Sequence, residues 1–139
     1  MPTDAKSLVR RFYDGVGAGD LSVIDELVAD DFVDHESFPG LEPNKKGVKQ
    51  FFAVLRSAFP DLRMEVREML ADDDLVSVRV IATGTHQADF MGMPSSGKRI
   101  EVQVFDVFRI LGGQVTEHWG LMDAMTMLQQ LGGMPEFPA

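Results

Sequence analysis

The stretch that decides the fold runs Ile100-Glu101-Val102-Gln103-Val104-Phe105-Asp106-Val107-Phe108-Arg109-Ile110-Leu111-Gly112-Gly113-Gln114-Val115-Thr116-Glu117-His118-Trp119. Every second residue from Ile100 to Ile110 is apolar except Asp106, and the residues between are mostly polar. That period of two is the signature of a strand with one face on a core and the other toward solvent. Gly112-Gly113 supplies the positive backbone angles of a tight hairpin, so a long strand from about Lys98 to Leu111 turns back into a last strand through Val115 and Trp119.

Upstream the same period recurs twice. Leu62, Met64 and Val66 alternate with Arg63, Glu65 and Arg67; Asp72 to Asp74 form a turn; Val76, Val78, Val80 and Ala82 then alternate with Ser77 and Arg79. A loop of Gly, Met, Pro and Ser, Gly92 to Gly97, leads into the long strand. Before Leu62 the period is helical. Leu8, Phe12 and Val16, widened by Val9 and Tyr13, predict a helix over about 4–16, stopped by Gly17 and Gly19. Leu21, Ile24, Leu27 and Val28 predict a second short helix capped by Asp20, with a short extended piece from Phe32 to Glu36. Val48, Phe51, Phe52, Leu55 and Phe59 predict a third, closed by Pro60. A short helix over about 124–131 ends the pattern. Three helices followed by a run of strands predict an α+β fold, a curved sheet wrapped over the helices in one domain spanning 1–139.

Composition narrows the function classes. The chain has 139 residues, 45% hydrophobic and 25% charged, which suits one domain with one core. A net charge of −9 repels phosphate backbones and anionic lipid, so neither nucleic acid nor a membrane surface is expected as a partner. No apolar leader opens the sequence and no run is long enough to span a bilayer, which predicts a cytoplasmic protein. With no cysteine there is no thiol nucleophile or thiolate metal site, and none of His35, His86 and His118 makes a pair at short ligand spacing. No metal and no cofactor are expected, and neither a phosphate loop nor a nucleophile elbow is present.

The residues that can carry chemistry cluster around the hairpin. Parity places Asp106 in an apolar row, and a buried carboxyl must be hydrogen-bonded, paired or protonated. A strict two-residue turn sets Asp106 opposite Trp119, whereas a bulge at Gly113 sets it opposite His118. Asp123 stands where it can cap the last helix, although Thr126 at the third position completes no capping box. His86 shares the parity of Val76, Val78 and Val80. Phe90-Met91-Gly92-Met93-Pro94 is a candidate apolar lid.

Gly84-Thr85-His86, Phe90 to Pro94 with Gly97-Lys98, Phe108-Arg109-Ile110 and Glu117-His118-Trp119 ending at Asp123 resemble, in order and spacing, the SnoaL-like polyketide cyclases of the nuclear transport factor 2-like superfamily. Val9 to Tyr13 and Phe32 to His35 fit the same pattern. The resemblance implies a cone-shaped barrel of three helices against a mixed, mostly antiparallel sheet, commonly a homodimer. It implies a deep pocket in which an Asp closes a ring of an aromatic polyketide by intramolecular aldol condensation, without metal or cofactor. The catalytic Asp of that pattern falls on Asp123, while a histidine common in these cyclases is replaced by Asp106. On this reading Asp123 is the acid/base, Asp106 tunes it and His118 or His35 donates to a developing oxyanion. Trp119, His35, His86, Phe90, Met91 and Met93 contact an apolar or aromatic substrate. Two other readings stand beside it: epoxide or ester hydrolysis, with Arg79 assisting two carboxyls, and a non-catalytic binder of an apolar ligand.

Overall fold

The helical stripe read from the sequence becomes α1 (Ala5–Ala18), with Leu8, Val9, Phe12, Tyr13 and Val16 buried. Gly19 closes it at φ 83°, a left-handed value that an L side chain resists. The computed structural model describes residues 4–36 and 38–133. Helix α2 (Ser22–Leu27) runs straight into β1 (Val28–Asp34). Strand pairing claims Val28, which the helical spacing had assigned to α2, because Val28 aligns with Val115 in a parallel pair. The extended segment therefore begins at Val28 rather than Phe32. Helix α3 (Lys45–Ala58) starts where the Asn44 side chain accepts a hydrogen bond from the Gly47 N–H, an ordinary N-cap.

Four longer elements and a short helix follow: β2 (Arg63–Asp72), β3 (Leu75–Thr85), β4 (Arg99–Leu111), β5 (Gln114–Met122) and α4 (Ala124–Leu131). They form one five-stranded sheet in the order β1-β5-β4-β3-β2, antiparallel except for the β1–β5 pair. Burial along β3 and β4 alternates as the period of two requires, with Val76, Val78, Val80, Ile100, Val102, Val104 and Phe108 inside. The helices cover that inner face: α1 lies on β2, α3 on β1 and α4 on β4. Buried apolar side chains of helices and sheet make one continuous cluster. The fold is α+β, with a mixed sheet and a short C-terminal helix. No helix among the described residues is long and apolar enough to cross a membrane.

The hairpin departs from both registers read in the sequence. Gly112 and Gly113, at φ 61° and 76°, make the two-residue turn as expected. Leu111 then pairs with Gln114 and Ile110 with Val115, but Arg109 pairs with Glu117, so Thr116 is an extra residue bulged out of β5. The Thr116 hydroxyl donates to the Arg109 carbonyl, and the Arg109 guanidinium ties Glu117 to Asp74. One inserted residue reverses the parity of everything after it. Asp106 consequently stands opposite Gly120, neither Trp119 nor His118. His118 and Gly120 join the inner face, and Trp119 turns outward.

Candidate active site

Strand β4 is the middle strand of the sheet, so Asp106, paired with Val78 on one side and Gly120 on the other, points into the core. Only 8% of its surface is exposed. A carboxyl there needs partners, and three elements supply them. From β5, one position diagonal to it, His118 Nε2 lies 2.8 Å from Asp106 Oδ1. From α1, the Tyr13 hydroxyl donates to Asp106 Oδ2. On the far side of the imidazole, Asp34 Oδ1 of β1 lies 2.9 Å from His118 Nδ1. The parallel pairing of Asp34 with His118 brings these two together. The result is one hydrogen-bonded chain, Tyr13–Asp106–His118–Asp34, drawn from α1, β4, β5 and β1.

The chain's electrostatics follow from this geometry. Burial opposes charge on His118, but the hydrogen bonds and negative charges of Asp106 and Asp34 outweigh it and lift its pKa from 6.5 to about 9. At neutral pH the ring is an imidazolium with both N–H groups donated. Burial, followed by the charge of Asp106 and the hydrogen bond to it, holds the Tyr13 hydroxyl well above its usual pKa of 10.0, so it stays a donor.

This chain lines a cavity of about 280 Å³. Its walls are otherwise mostly apolar: Phe12, Phe52 and Leu55 from the helices, Val104 and Phe108 from β4, and Met127 from α4. Glu36 and Glu42 also line it, whereas among the described residues no Lys or Arg does. The volume is near the lower end of the range for small-molecule pockets, and an apolar chamber with a few convergent polar groups is the common form of such sites. Among the described residues no cluster of three or more His, Asp or Glu is arranged to hold a metal ion.

Of the residues singled out in the sequence, Asp106 and His118 line this cavity. Asp123 does not. It is exposed at the N-cap of α4, where its carboxylate accepts from the Thr126 N–H at 3.1 Å and hydroxyl at 2.6 Å. Those two bonds hold its pKa below the usual carboxyl value. The position that the resemblance assigned to the acid/base is a helix cap here, outside the residues that line the cavity. Trp119, outside because of the bulge, stacks on His35 at 4.7 Å, with Arg109 5.8 Å above its ring and His35 bonded to Glu117. His86 is fully buried and does not line the cavity, with Nδ1 2.9 Å from the Ser96 hydroxyl and its ring against Phe59. Phe90 packs on Phe59 and on Phe38, which itself lines the cavity, so Phe90 stands one layer back. Met93 bridges to Phe90 in a tight turn, and Met91 is exposed at that turn's tip. Arg79 lies on the outer face, paired with Glu68 and Gln103, so the hydrolytic reading loses its arginine.

Three residues of the site carry no assignment in the sequence reading: Tyr13, Asp34 and Gly120. Asp34 shares the parity of buried Phe32, the same signal that marks Asp106. Tyr13 is a polar tip on an otherwise apolar stripe, and a buried Tyr hydroxyl ordinarily has a partner. Gly120 becomes visible only once the bulge is known.

An acid–imidazole chain on the wall of an apolar cavity, on this α+β frame, has the form of a small-molecule site, and comparison identifies the class. The family model described as SnoaL-like polyketide cyclase matches residues 7–131, and the chain belongs to that family. Aklanonic acid methyl ester cyclase DnrD of Streptomyces peucetius is 25% identical over 132 residues, covering 90% of this chain and 88% of its own. Among solved structures, IdmH of Streptomyces antibioticus, a candidate polyketide cyclase, is 31% identical with a TM-score of 0.82, covering 93% of this chain and 99% of its own. AclR of Streptomyces galilaeus, a candidate hydroxylase, is 29% identical with a TM-score of 0.88, covering 99% and 91%.

Proposed function

We propose that this protein closes a ring in an apolar or aromatic polyketide by an intramolecular aldol reaction, with Asp106 as the acid/base and His118 as a fixed cation beside it. The observation that carries this reading is the Tyr13–Asp106–His118–Asp34 chain on the cavity wall. Asp106 takes the proton from a carbon beside a carbonyl. The enolate carbon then bonds to a second carbonyl carbon of the same molecule, and Asp106 returns the proton to the resulting alkoxide. No atom is gained or lost, so no co-reactant is required. As Asp106 is neutralised, the negative charge moves onto the enolate oxygen, and the imidazolium, still paired with Asp34, remains in place to stabilise it. Tyr13 and Asp34 hold Asp106 and His118 in register.

An exposed, capping Asp123 is also what a purely binding protein would show. The polar chain favours chemistry, because burying two carboxyls and an imidazole costs desolvation that apolar binding does not repay. The test is turnover of aklanonic acid methyl ester, the substrate named for the relative DnrD, followed chromatographically as a product of unchanged mass. Asp106→Asn should slow ring closure by roughly 10²- to 10⁴-fold, the usual effect of losing a general base. Full turnover in that variant would overturn the assignment.

A further inference from the structure

The geometry assigns to Gly120 the role of a positioning residue: the missing side chain opposite Asp106 is the space in which the Asp106–His118 hydrogen bond forms. The assignment rests on the reading of that chain as the reacting end of the cavity.

Gly120 lines the cavity directly across the sheet from Asp106. A Cβ built there would sit 2.3 Å from Asp106 Oδ1, 2.7 Å from His118 Nε2 and 2.8 Å from His118 Cε1. The first two atoms are the pair joined by the 2.8 Å hydrogen bond. A methyl group at position 120 therefore drives against both ends of that bond. Neither end is free to swing aside, since Tyr13 holds the other oxygen of Asp106 and Asp34 holds the other nitrogen of His118. Backbone conformation does not explain the glycine, because Gly120 is not among the glycines with positive φ. What the position demands is volume.

The Thr116 bulge makes this demand. It turns both His118 and residue 120 inward on adjacent inner-face positions, so the imidazole and whatever occupies 120 compete for the space in front of Asp106. Glycine resolves the competition in favour of the hydrogen bond. The other ionisable groups lining the cavity are Glu36 and Glu42, and neither is bonded to the imidazole, so His118 reports on Asp106 and Asp34.

The experiment is Gly120→Ala, read by the pH titration of the His118 imidazole ¹⁵N and N–H signals. In the unsubstituted protein His118 should titrate near pH 9 with both N–H groups bonded. In Gly120→Ala the midpoint should move down toward the ordinary 6.5 and the Nε2–H signal should lose its bonded position. An unchanged midpoint with both signals intact would overturn the assignment. A second measurement uses Asp106→Ala, which removes the nearest clashing atom and one of the two holds on His118, so that the imidazole can give way to the new methyl. There the loss of urea stability caused by Gly120→Ala should largely vanish, and an equal loss in both backgrounds would refute the proposal. Should Gly120→Ala alone fail to fold, folding of the Asp106→Ala/Gly120→Ala pair supports it and failure of the pair overturns it. The titration is independent of turnover, so a wild-type protein that titrates as expected yet closes no ring refutes the proposed function, while the space that Gly120 leaves for the Asp106–His118 bond is tested by the titration alone.

Discussion

Raising the pH through the slightly alkaline range should destabilise this protein, and the amount follows from one side chain. His118 binds its proton more tightly when folded than when unfolded, with a pKa of about 9 against 6.5. Between those values the unfolded chain has lost the proton and the folded chain keeps it. Stability is thus fully present below about 6.5 and falls as pH rises, by ~1.4 kcal/mol per pH unit, until the folded ring is neutral too. The whole contribution is about 3 kcal/mol, a large share of the 5–15 kcal/mol that holds a typical domain. Urea unfolding across a pH series measures it directly, and the melting temperature should fall by roughly 10 °C over the same span. His118→Gln removes the titration, so its stability should be nearly flat through this window. Tyr13, whose pKa lies well above 10.0, adds a further loss only at higher pH, where the unfolded phenol ionises first. Parallel curves for the two proteins between about pH 6.5 and 9 would mean that the imidazole is not held between Asp34 and Asp106, and the reasoning would fail at its base.

Other outcomes follow from the same contacts. Tyr13→Phe leaves Asp106 Oδ2 buried without its donor, which should cost about 1–3 kcal/mol in urea unfolding; no change would show that the hydroxyl is not bonded to Asp106. Asp123→Ala should lower the melting temperature, because α4 loses its cap, while ring closure continues; lost turnover with unchanged melting would return the acid/base role to Asp123. The outer face of the sheet carries exposed Phe105 directly opposite exposed Leu121. A homodimer built on that face should sediment at twice the 15.4 kDa chain mass, and Phe105→Glu should release the monomer. A wild-type species at the chain mass would refute the dimer.

Local pattern in the sequence determined much of this. The period of two in β4 is a property of neighbouring residues, and it placed Asp106 on the inner face before any partner was known. Gly112-Gly113 specified the hairpin because few residues other than glycine accept its backbone angles. The helical stripe of α1 and the order of helices before strands gave the α+β class, and the order of short motifs gave the family. Tertiary structure decided the site. Tyr13 meets Asp106 across 93 residues and Asp34 meets His118 across 84, contacts that no local period encodes. The decisive residue was Thr116: one bulge in β5 reversed the parity beyond it, turned Trp119 out, brought His118 and Gly120 in, and left Asp123 beyond the cavity as a cap. A bulge's position depends on how a strand pairs with both neighbours at once, here β4 and the parallel β1. That is a property of the assembled sheet, and the chain read one strand at a time does not contain it.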